Sequence, residues 1–125
     1  MTINIYAAWI GILLGCLAGA AEGLFFHKEN WLGGYGSWSR RLLRLGHVSF
    51  FGIAFINLAF ALSASALGVE KGIEIPSKMF LVAAVGMPLV CYLSAIKKPF
   101  RHLFFIPAMA VILGLTVFLW RILIQ

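Results

Sequence analysis

Apolar residues run almost unbroken through four stretches, about 3–26, 45–68, 77–97 and 100–120. Each is close to the ~20 residues that a helix needs to cross the hydrocarbon core of a bilayer. The polar breaks between them are short. The spacing therefore predicts an all-α integral membrane protein, a four-transmembrane-helix bundle that occupies residues 1–125 as one domain with short loops. An apolar segment at an N-terminus also fits a cleaved signal peptide. No Lys or Arg precedes this one, so it reads as a retained span.

The composition agrees with that pattern. The chain is 62% hydrophobic and 11% charged, too little charge to keep the surface of a soluble domain wet. A net charge of +6 would point to nucleic acid in a soluble protein. Here the cations flank the spans, where they set topology and meet anionic phospholipids, and no nucleic-acid partner is expected. Cys16 and Cys91 fall at different depths of different spans, which predicts two small buried thiols and no disulfide.

The first span carries Gly11, Gly15, Gly19 and Gly23, a small-residue stripe at four-residue spacing. Glycine at this spacing lets a second helix approach the backbone closely, so the stripe is a predicted helix-packing face. Glu22 sits at the end of the stripe. A carboxylate at that depth needs a partner, and Arg44, Lys98, Arg101 or a histidine is the expected one. Asn57, near the middle of the second span, reads as an amide that ties helices together, on a face shared with Phe50, Ala54, Ala61, Ala64 and Gly68. Pro88 predicts a kink in the third span, and Pro107 lies inside the fourth.

The longest polar run is HKENWLGGYGSWSRRLLRLGH, His27 to His47. Gly33, Gly34 and Gly36 argue against a regular helix before Ser37, and Ser37 or Ser39 can cap the helix that follows. If SRRLLRLGH is helical, Arg40, Arg44 and His47 share one face, suited to an anion such as a lipid headgroup or a haem propionate. The 27–44 and 97–101 segments hold most of the Lys and Arg. The positive-inside rule then puts both basic loops in the cytoplasm and both termini on the non-cytoplasmic side, with a bacterial inner (plasma) membrane as the expected location. Trp120 and Arg121 read as an interfacial anchor.

With that orientation His27, His47 and His102 fall on the cytoplasmic side, at similar predicted depth on three different helices. Such convergence is how bundles build cofactor sites. Two of these histidines would suit haem b, with Arg40, Arg44 or Arg101 on its propionates. Glu22 with the three histidines is the candidate metal set. Unliganded interfacial histidines are the plainer reading. No catalytic or nucleotide-binding motif is present. The expected function is that of a small non-catalytic membrane subunit, anchoring or stabilising a larger complex of other membrane subunits, with a respiratory or electron-transfer assembly as host. The alternatives are a haem b or metal-binding protein using those histidines, and a small channel or transporter using Glu22 and Asn57.

Overall fold

A computed structural model describes residues 1–124. It contains four long helices: α1 (Thr2–Phe26), α2 (Trp38–Ala66), α3 (Glu74–Ile96) and α4 (Phe105–Leu123). Short 3₁₀ segments cover Trp31–Gly33 and Lys98–Phe104. No strand occurs among the described residues, and four helical segments are long and apolar enough to cross a membrane.

The helix limits differ from the apolar runs in instructive ways. α2 starts at Trp38, seven residues before the apolar run, because SRRLLRL continues the helix without a break. Its start is capped by Ser37, whose hydroxyl accepts from the Arg40 N–H at 3.2 Å. Its end lies before Gly68, which is therefore not part of the face predicted for it. Gly68 has φ +66°, and the N–H groups of Gly68 and Val69 return to the carbonyls of Ser65 and Ala64. This is a Schellman closure, and it carries Val69 into the apolar core beside Ala64 and Phe60. α3 begins at Glu74 and runs unbroken through Pro88 to Ile96. Pro107 does not interrupt a helix. It occupies the first turn of α4, where its missing N–H would have had no intrahelical partner.

α2 and α3 form the central pair, with α1 packed mainly on α2 and α4 mainly on α3. Phe80 of α3 is the hub at one end. Its ring lies 5.2 Å from that of Phe60 on α2, Phe60 lies 4.8 Å from Phe118 on α4, and Gly114 admits the edge of Phe80. Ile53, Ala83 and Ala110 form a second cluster across the same three helices. α1 sits outside this apolar core and is held by other means.

Three of its glycines receive α2. A Cβ on Gly11 would lie 3.1 Å from Cβ of Ala54, one on Gly15 2.8 Å from the Phe51 ring, and one on Gly19 2.5 Å from Nε2 of His47. Gly23 has nothing within 4 Å and takes no part in this contact. The stripe therefore serves packing within the chain over three of its four positions.

A polar knot fixes the first turn of α1. Asn4 donates to Oδ1 of Asn57 at 2.8 Å and to the Ser77 carbonyl at 3.2 Å, and accepts from the Ser77 hydroxyl at 2.6 Å. Asn57 in turn donates to the carbonyls of Ile53 and Phe80. Three helices meet there with every amide hydrogen used. At the opposite end, Trp38 Nε1 and the Ser39 hydroxyl donate to the carbonyls of Ser94 and Ala95, at 2.8 and 2.9 Å. Those carbonyls belong to the last turn of α3, where no intrahelical donor remains. The start of α2 thus caps the end of α3.

Both cysteines are free; Cys91 is buried, whereas Cys16 is exposed on the outer side of α1, contrary to the buried position expected for it.

Candidate functional site

The polar loop and the ends of the helices beside it contain most of the residues singled out in the sequence. The structure places them in several environments rather than one.

Arg40 is only 2% exposed. Its guanidinium turns towards the end of α1, donating to the Lys28 carbonyl at 2.7 Å and the Glu29 carbonyl at 3.4 Å. It also lies over the rings of Phe26 and Trp31, at 5.6 and 5.3 Å. Arg44 lies 4.2 Å over the ring of Tyr35 and donates to the Tyr35 carbonyl. His47 points its imidazole edge at Gly19 and meets Phe51 edge-on at 5.4 Å. The three do share a helix face, but the protein's own α1 and loop cover it. It is not an open anion cradle.

The histidines do not form a layer. His27 is the exposed residue that ends α1, and His102 is exposed in the 3₁₀ segment before α4. His47 faces Gly19, eight residues before His27, so it sits about 12 Å further along α1. Among the described residues no group of three or more His, Cys, Asp or Glu side chains is placed to hold a metal ion, so Glu22 and the three histidines are not gathered. Equal depth failed as a prediction because α2 starts seven residues early and carries His47 well past its own first turn. Arg101 is exposed beside His102. Asn57, proposed above as part of a transport path, has all its hydrogen-bonding groups engaged in the polar knot.

Two of the cations expected for Glu22, His47 and Arg44, lie near enough to act on its charge, but its hydrogen bond goes to another residue. Glu22 is 7% exposed, and Oε1 accepts from the Tyr92 hydroxyl of α3 at 2.9 Å. No ion pair to Glu22 forms among the described residues, and Oε2 is buried with no hydrogen-bond partner. Tyr92 reaches across from α3 because Gly46 of α2 leaves room: a Cβ there would lie 3.0 Å from the Tyr92 ring. Phe50 flanks the same ring at 6.2 Å.

Above this pair lies an open groove of about 310 Å³. α1 contributes Ala18, Ala21, Glu22 and Phe25; Leu43, Tyr92 and Trp31 close the other sides. Phe25 and Trp31 stack at 5.4 Å with an interplanar angle of 17°. Arg40 lies over the Trp31 ring, so the buried cation supports this wall of the groove. The residues that sequence reasoning missed are Asn4 and Tyr92. Tyr92 is a polar-tipped side chain within an apolar run, and that is the signal that marks it; Asn4, at the start of its span, carries no such signal.

No protein-family model, curated protein or solved structure matches the chain. The site therefore rests on its own geometry.

Proposed function

We propose that the chain is a small, non-catalytic membrane subunit that seats in a larger membrane assembly through α1. The observation that supports this is the one-sided attachment of α1. Its inner stripe, from Asn4 through Gly11, Gly15 and Gly19 to Glu22, engages α2 and α3. Its other faces, including Tyr6, Trp9, Leu13 and Leu17, are more than half exposed. A helix pinned by polar groups at both ends presents a fixed surface rather than a rolling one, and that suits docking between helices. The basic loops face the cytoplasm in this reading, with the termini outside, in a bacterial plasma membrane. The exposed Arg41, Lys97, Lys98 and Arg101 then meet anionic headgroups.

The test is purification at native expression level in mild detergent, with native electrophoresis and mass spectrometry. The expected result is a defined assembly larger than one chain. Trp9→Ala/Leu13→Ala should release the subunit while leaving it folded. Recovery of the wild-type chain as a lone monomer would reject the proposal.

A further inference from the structure

We infer that the pocket between the α2–α3 loop and the end of α4 binds the headgroup of an aminophospholipid, with the phosphodiester on Arg121 and Lys71 and the ammonium on Glu70. This role is separate from the docking of α1.

The pocket holds about 330 Å³, within the range of small-molecule sites. Glu70, Lys71 and Arg121 line it, so two cations and one carboxylate border a single concavity. None of the three is spent on the protein: among the described residues, none of these side chains makes a hydrogen bond or an ion pair. Opposite charges that share a pocket without closing on each other leave separate places for the two poles of a zwitterion.

Arg121 is held in position by the loop. Its guanidinium reaches from the last turn of α4 into the space that a side chain at position 72 would need: a Cβ on Gly72 would lie 2.6 Å from Cζ and 2.8 Å from Nη2. Gly72 has φ +74°, which favours glycine for a second reason. The N–H groups of Lys71 and Gly72 have no acceptor in the protein. The guanidinium fork and the loop amides are thus unspent side by side, a donor set that matches phosphate oxygens.

The two poles also have an order. Glu70 lines a second groove as well, with Met1, Glu74 and Lys78, whereas Arg121 borders only the first. The phosphate therefore lies towards α4 and the amine towards α1. A primary ammonium can donate an N–H to Glu70, and a trimethylammonium cannot. Trp120 and Ile124 flank Arg121 in sequence and are exposed, so a lipid with its phosphate on Arg121 keeps its acyl chains against α4, in the bilayer.

The test uses the full chain, delipidated in dodecyl maltoside, with native mass spectrometry reading the retained lipid. The probe is dioleoylphosphatidylethanolamine. Dioleoylphosphatidylcholine has the same net charge without the N–H, and dioleoylglycerol lacks the phosphate. Phosphatidylethanolamine should bind about fivefold or more tightly than phosphatidylcholine, as a hydrogen bond between charged groups implies, and dioleoylglycerol should not be retained. Arg121→Gln should weaken phosphatidylethanolamine binding by about tenfold or more. Glu70→Gln should remove most of the preference over phosphatidylcholine. Gly72→Val keeps every charge but displaces the guanidinium, and should act as Arg121→Gln does. Arg121 and Glu70 are exposed, so their variants keep the test decisive if Gly72→Val does not fold. Equal retention of the two phospholipids, unchanged binding in Arg121→Gln, or displacement of the lipid by equimolar water-soluble glycerophosphoethanolamine would overturn the inference.

Discussion

At the residue scale, the side chains that matter most are polar groups whose partners come from distant parts of the chain. Arg40 shows how far local pattern can mislead. Its spacing from Arg44 and His47 is that of one helix face, and it does lie on that face. What the spacing does not encode is that the end of α1 and the turn after it fold against it, offering the carbonyls of Lys28 and Glu29 and the rings of Phe26 and Trp31. Arginine suits this position because one planar fork reaches both carbonyls while its face lies on a ring. Asn57 was legible as a tie between helices because an amide has few other uses at that depth. Asn4 was not, since an asparagine close to the start of a span looks like an ordinary interfacial residue. The Asn4–Asn57 bond is open to a double-mutant cycle. With Asn4→Ala, Asn57→Ala and the double variant unfolded by denaturing detergent, the coupling should fall between about 0.6 and 1.7 kcal/mol, the range for hydrogen bonds between membrane helices. A coupling near zero would mean that the unfolded chain satisfies both amides equally well.

At the scale of the element, the four spans were readable from composition and length alone, because hydrocarbon imposes a minimum length and tolerates few charges. Their ends were less readable. α2 is 29 residues long, about 43 Å, so it outruns a hydrocarbon core of roughly 30 Å and carries its first turns among the polar loops. Hydropathy is blind to that extension, whereas the Ser37 cap marks it. The glycine stripe of α1 separates into two kinds of position. At Gly15 a Cβ would meet the Phe51 ring at 2.8 Å, whereas Gly23 faces open space. Gly15→Ala should therefore destabilise the chain, by about 1–3 kcal/mol as for an overpacked contact. Gly23→Ala should be neutral or stabilise it by a few tenths of a kcal/mol through helix propensity. Unfolding in denaturing detergent measures both. Equal effects at the two sites would contradict the packing of α1 on α2.

At the scale of the whole molecule, the order of the helices is a central pair with a flank on each side. Four antiparallel spans bring both termini to one end, where Met1, the 68–73 loop and Arg121 lie close together. The basic loops occupy the other end. With Cys16 and Cys91 replaced by alanine, a membrane-impermeant maleimide applied to intact cells should label Lys71→Cys and spare Lys98→Cys. The reverse pattern would overturn the proposed topology. The pairing of Glu22 with Tyr92 was out of reach of the sequence, since it depends on which of several helices lies beside α1 and on the space that Gly46 leaves. One consequence of the two polar pins on α1 concerns time rather than space. Both pins, Asn4 to Ser77 and Glu22 to Tyr92, have their partner on α3, the third helix to leave the ribosome. During synthesis α1 enters the membrane with an amide and a carboxyl group that α2 alone does not fully satisfy. The carboxyl group gains its Tyr92 donor once α3 lies beside α1. The earliest part of the chain to be made thus completes its polar contacts only with a helix made two spans later.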